Sequence, residues 1–188
     1  MIKSILCCLL VFATLDLVSA QTLSWTEALK QDPLSVKALD CSGLKWDSIP
    51  QQLLLYRNLE YLDLSKNKIQ TLPDDFMHLE ALKKLNLGRN KILVFPLELT
   101  SLTQLEELHL DRNDITKIPE QISNLQLLQS LDLYANAIED FGEGLFSLSN
   151  LKVLNLEGVM YGTVFAKSFV AKLPHTKVLM DPPCKCLD

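Results

Sequence analysis

The chain has 188 residues, with 18 Lys and Arg against 23 Asp and Glu, for a formal net charge of −5. An acidic balance lacks the basic surplus that displaces counterions from phosphates, which argues against a general nucleic-acid binder. With 48% hydrophobic residues, 6 Gly and 8 Pro, the composition is that of one domain with a core, neither disordered nor collagen-like. Leucine is the outlier, at 41 residues.

Residues 1–20 read as a secretory signal peptide. Lys3 gives a positive start, Ile5 to Leu15 is apolar apart from Thr14, and Val18-Ser19-Ala20 offers small residues before Gln21. The apolar run is shorter than the ~20 residues of a membrane span, and no later stretch is longer. The chain is therefore expected to be secreted or exported, to the periplasm or cell surface if its source is Gram-negative. Residues 21–35 read as an N-terminal helical cap. Ser24-Trp25-Thr26-Glu27 has capping-box spacing, Trp25, Ala28 and Leu29 can form an apolar face, and Pro33 is expected to stop the helix.

From Val36 onward the chain is organised by a period of 23 residues. Leu59-Glu60-Tyr61-Leu62-Asp63-Leu64-Ser65-Lys66-Asn67-Lys68-Ile69 reads LxxLxLxxNxI, and the same string opens at Leu82, Leu105 and Leu128. One step back lies Val36 and one step forward Leu151, so six units of 23 span 36–173. The second halves repeat as well. Ile49-Pro50, Leu72-Pro73, Phe95-Pro96 and Ile118-Pro119 share a phase, and Phe141-Gly142 replaces the pair in the fifth unit.

This pattern resembles the leucine-rich repeat family in its LxxLxLxxNxLxxLP form. The lead-in from Trp25 to Pro50 is similar to that of exported bacterial members. The resemblance implies an α/β solenoid, a right-handed superhelix with a parallel β-sheet on its concave face and short turns, 3-10 or helical pieces on its convex face. It implies a protein partner more often than a small molecule. It also implies that Asn67, Asn90, Asn113 and Asn136 form a structural asparagine ladder. The amide of Asn carries both donor and acceptor, which suits a turn whose backbone groups have lost their ladder partners.

Alternation in the LxL core sends Leu62 and Leu64, and their equivalents, inward. Truncating a central one such as Leu85 or Leu108 should cost about 2–5 kcal/mol. At the C-terminal end, Phe165, Phe169, Val170 and Leu173 recur at helical spacing and Pro174 ends that segment. Lys177 to Met180 falls at the strand phase of a seventh, incomplete unit. Residues 162–188 thus serve as the C-terminal cap, with 174–188 lying beyond the sixth repeat.

The same ladder names the outward side chains. One row is Asp40, Asp63, Asn86, His109, Asp132 and Asn155. Its neighbours bring in Tyr61, Lys84, Arg89, Asp111, Arg112 and Tyr134. Tyr and Arg are enriched at interaction hot spots, and solenoids bind on their concave surface. Tyr61, Lys84, Arg89, His109, Arg112, Asp132 and Tyr134 are the candidate partner-binding residues.

His109 lies one ladder step from Asp132 and two residues before Asp111, and a His–carboxylate pair could do acid/base work or hold a metal. No nucleophile, second His or oxyanion donor set accompanies them, and HExxH, GxSxG, GxGxxG and P-loop strings are absent. No catalytic residue, metal or cofactor is assigned. His78 falls on the convex return and His175 in the C-terminal cap.

Cys41 takes an inward Leu position, as a buried free thiol would. It lies six ladder steps, about 29 Å, from Cys184 and Cys186, too far for a disulfide. Cys184-Lys185-Cys186 could bridge locally, pair with another chain, chelate a soft metal or be an idle tail. The function this supports is a monomeric, non-enzymatic, exported module for protein–protein recognition through a concave face. A small enzyme centred on His109 and Asp132, or a structural surface component, is the alternative.

Overall fold

The computed structural model describes residues 21–184. In chain order the elements are β1 (Leu23–Ser24), α1 (Trp25–Ala28), β2 (Ala38–Asp40), β3 (Tyr61–Asp63), β4 (Lys84–Asn86), β5 (Glu107–His109), β6 (Lys117–Ile118), β7 (Ser130–Asp132), β8 (Asp140–Phe141), β9 (Val153–Asn155), α2 (Thr163–Ala171) and β10 (Lys177–Leu179). Eight of the strands form one parallel sheet in the order β1-β2-β3-β4-β5-β7-β9-β10. From β2 to β9 each pairing joins residues 23 apart, as Leu62 to Leu85 and Leu85 to Leu108. This is the solenoid that the repeat predicts.

The inward columns are closed to water. Leu62, Leu64, Leu87, Leu108, Leu110, Leu131 and Leu133 have no exposed surface, and Cys41 continues the column with none either. Each unit shares its apolar edge with its neighbours, which is why one core runs the length of the described chain.

The Asn column closes the turns behind the strands. Asn113 Oδ1 accepts the N–H of Ile92 (3.0 Å), while its Nδ2 donates to the carbonyls of Leu87 and Leu110 (3.0 Å each). Asn67, Asn90 and Asn136 repeat this arrangement. Leu64, Leu87 and Leu110 carbonyls each accept from two Asn side chains of successive units. Among the described residues no buried side-chain polar atom lacks a partner.

On the return side, Pro50, Pro73, Pro96 and Pro119 precede 3-10 segments at Gln51–Leu55, Asp74–His78, Leu97–Ser101 and Glu120–Asn124. Gly142 precedes the fifth, Glu143–Ser147. Proline suits this place because its fixed φ and missing N–H would interrupt a ladder but not a turn. The pairing of β6 with β8 adds a second, two-stranded sheet that the sequence does not announce.

The ends depart from expectation in detail. Glu27 accepts from the N–H (2.9 Å) and hydroxyl (2.6 Å) of Ser24, as the capping-box spacing predicts. The helix nevertheless ends at Ala28, before Pro33, which instead opens a 3-10 turn at Pro33–Ser35. Leu29 is turned to solvent, and Trp25 packs edge-on to Trp46, 5.3 Å between ring centres. β1 extends the sheet by pairing with β2, an addition outside the 23-residue period.

In the C-terminal cap Phe169 and Leu173 are buried, but Phe165 and Val170 remain 37% and 44% exposed. A short terminal helix has a neighbour on one side only. α2 ends at Ala171, three residues before Pro174. β10 pairs with β9 at a spacing of 24, Lys177 to Val153, so one residue is inserted there. Cys41 is a free thiol and Cys184 is disulfide-bonded, so neither bridges the other. The signal segment, Cys7, Cys8 and Cys186 lie outside the described residues.

Candidate functional site

The outward row shows why it is rich in Asp and Asn. Where each strand ends, Oδ1 of that residue accepts the N–H two positions on. Asp40 holds Ser42 (2.8 Å), Asp63 holds Ser65 (2.7 Å), Asn86 holds Gly88 (2.9 Å), Asp132 holds Tyr134 (3.0 Å) and Asn155 holds Glu157 (3.1 Å). The residue three positions on from each of Asp63, Asn86, His109 and Asp132 lies in the left-handed region. Lys66, Arg89, Arg112 and Ala135 have φ of 56°, 56°, 52° and 52°. Such values are uncommon without Gly. They are held by the ladder, for the N–H groups of Arg89 and Arg112 bond the carbonyls of Asp111 and Tyr134, at 2.7 Å each.

His109 is the exception in this column. Among the described residues no side chain caps the N–H of Asp111 as the Asp and Asn residues do elsewhere. The imidazole is free to face Asp132, whose Oδ2 is 3.8 Å from His109 Nδ1. That separation is an ion-pair contact, longer than a good hydrogen bond. Asp132 raises the pKa of His109 above its ordinary value, partial burial opposes the shift, and Asp111 and Glu107 add to it.

Asp111, from the neighbouring outward row, completes the cluster. One donor atom from each of His109, Asp111 and Asp132 lies within 4.8 Å of the others. Burial, and then the charge of Asp132, raise the pKa of Asp111, while His109, Arg112 and Arg89 pull it down. For Asp132 burial also disfavours the charge, but the contact with His109 and the bond from the Tyr134 N–H hold its carboxyl below the ordinary range. Gly88 makes room beside the cluster, since a Cβ there would stand 2.2 Å from Asp111 Oδ1. The signal in the sequence was a carboxylate two residues from His109, opposite the Gly of the preceding unit.

The other candidates share this face but not this cluster. Arg112 lies over the ring of Tyr134, 5.3 Å from its centre. Lys84 is paired with Glu107 at 2.7 Å. The hydroxyl of Tyr61 reaches Asp63 at 3.4 Å, and Asp63 also accepts from Asn86 (3.2 Å). Arg89 is placed to act electrostatically on Asp111. His78 is remote, on the return side, with Nε2 3.8 Å from Asp75. No helix among the described residues is long and apolar enough to cross a membrane.

The family model described as "Leucine rich repeat" matches residues 38–92 and 99–159, more than half of the chain. The chain belongs to the leucine-rich repeat family. No curated protein matches its sequence. Among solved structures it is similar to a leucine-rich repeat protein of Leptospira interrogans, with 25% identity, a TM-score of 0.70, and coverage of 88% of this chain and 49% of the other. An internalin from Listeria monocytogenes, at 22% identity and TM-score 0.61, shares the fold over 78% of this chain and 43% of its own. The plant peptide hormone receptor RGFR1 in complex with RGF2 matches at 28% identity and TM-score 0.65, over 78% of this chain and 24% of the receptor. The chain thus spans about half the length, or less, of these structures. The leucine-rich repeat fold is typical of protein–protein recognition, and its members are in general non-enzymatic scaffolds.

Proposed function

We propose that this chain is an exported, monomeric leucine-rich repeat module that recognises a protein partner without covalent chemistry, through the concave face of its sheet. One observation carries the reading. The inward positions repeat nearly the same residue in every unit, whereas the outward ones differ from unit to unit and bring Tyr61, Lys84, His109 and Asp132 onto adjoining strands, with Arg89, Arg112 and Tyr134 in the turns that follow them. Repetition is what stacking demands; the variation is free to serve recognition. Tyr134 with Arg112 is the favoured anchor, an aromatic and a guanidinium already held together in the unbound chain.

A protein partner fits the charge better than a nucleic acid. A TLR13–ssRNA13 complex is also similar, at 30% identity and TM-score 0.67 over 77% of this chain and 21% of that one. Here, however, the net charge is −5, and Asp63, Glu107, Asp111 and Asp132 stand among the basic residues of the face. They would repel a phosphate backbone. Export rests on the signal pattern of residues 1–20.

The test is affinity capture from secreted and surface extracts with the chain as bait, beside an Arg89→Glu, Arg112→Glu variant. Loss of a specific partner by more than about tenfold is expected, as reversal of two anchor charges implies. Unchanged recovery with an unchanged circular dichroism spectrum would refute the assignment of this face. Export predicts that the secreted chain begins at Gln21 by intact mass.

A further inference from the structure

We infer that His109, Asp111 and Asp132 form a binding site for a divalent first-row transition cation of the Zn2+ class on the outer face of the sheet. One imidazole nitrogen and two carboxylate oxygens are the donor types such ions take. Their donor atoms lie within 4.8 Å of one another, so small side-chain rotations bring all three to a common centre. The pair His109 and Asp132 alone is too small a set for a metal. Asp111 supplies the third ligand, and it does so across the space that Gly88 leaves open.

A second observation separates this cluster from its neighbours. In every other full unit the equivalent of His109 is Asp or Asn, and its side chain caps the turn. The unit at β5 gives up that bond and brings an imidazole nitrogen within 4.8 Å of two carboxylates instead. Structure alone favours the cap; a ligand set explains its loss. Carboxylate oxygens of Asp111 and Asp132 also lie within 4.8 Å of one another here, a repulsion that a dication relieves. Asp132 can bind through Oδ2 while its Oδ1 keeps the Tyr134 N–H, so the turn and the metal do not compete. Arg89 and Arg112 stand close by, and their charge places the affinity below that of a closed four-ligand site. Three protein ligands leave coordination positions for water or for a group on a partner.

The experiment is calorimetric titration of the oxidised chain with ZnCl2, repeated for His109→Asn and Asp111→Asn. His109→Asn keeps the fold, because Asn86 and Asn155 fill the same column position and cap the same turn. One equivalent of Zn2+ bound by the parent chain, weakened more than about tenfold in each variant, is the expected result. The Asp75→Asn variant, which alters the pair with His78, should leave that equivalent unchanged. No binding up to about 1 mM Zn2+, or binding that survives both His109→Asn and Asp111→Asn, would overturn the site. Partner capture by the metal-free chain is a separate readout, so the metal site and the recognition face can fail independently.

Discussion

Replacing Asn113 with Ala tests the load on the asparagine column. Asn113 is buried between the fourth and neighbouring units. Its removal leaves the Ile92 N–H with no acceptor, since Oδ1 at 3.0 Å is the only one it has among the described residues. An orphaned buried donor costs about 1–3 kcal/mol. The two carbonyls fare better, because Leu87 still accepts from Asn90 (2.9 Å) and Leu110 from Asn136 (2.9 Å). Each then loses only one of two bonds, about 0.5–1 kcal/mol apiece. The total expected is about 2–5 kcal/mol. Asn113→Asp should be worse at neutral pH, for it keeps the acceptor but sets a carboxylate 3.0 Å from two carbonyl oxygens. Protonation restores a donor, so the gap between Asp and parent should narrow as pH falls. The assay is urea unfolding followed by circular dichroism, with Trp25 and Trp46 fluorescence reporting the N-terminal end separately. A cost under about 0.5 kcal/mol, the range of an ordinary surface change, would refute the role given to the column.

Cys41 has no exposed surface, and burial, with the charges of Asp40 and Asp63 behind it, pushes its thiol up to about 12. It should resist iodoacetamide at pH 8 in the folded chain and react in urea, read by intact mass; rapid native labelling would contradict the burial. Because the folded state keeps the Cys41 proton to a higher pH than the unfolded one, this group's contribution to stability falls as pH rises from its ordinary value of 9.0 towards about 12, a slope that Cys41→Ala removes. Gly144→Ala would set a Cβ 2.0 Å from the Glu120 carbonyl oxygen, a backbone atom, and should cost about 1–3 kcal/mol in thermal or urea unfolding. A neutral result would mean that the two return segments are not in contact. His109→Asn should stabilise the metal-free chain by about 0.5–1 kcal/mol by restoring the missing cap on the Asp111 N–H, and a loss of stability would contradict the turn described for this column.

Much of the fold was legible because a parallel ladder converts sequence period into position. A spacing of 23 between Leu62, Leu85 and Leu108 places them side by side, and period-two alternation decides which residues between them face in. The same arithmetic put Tyr61 beside Lys84 and His109 beside Asp132. It failed at the ends, where no second neighbour enforces the repeat: Leu29 and Val170 are exposed, Phe165 is only partly covered, and β10 slips to a spacing of 24.

Row membership, then, comes from the sequence by itself, because stacking leaves each unit only one register that buries its leucines. Contacts between side chains within a face do not come from it. That Asp and Asn cap the strand ends, that His109 gives up this cap, and that Asp111 lies over Gly88 towards His109 and Asp132 were decided by the tertiary structure. Those choices depend on distances of a few ångströms between groups 2 to 23 residues apart, and on rotamers that the hydrophobic pattern does not constrain.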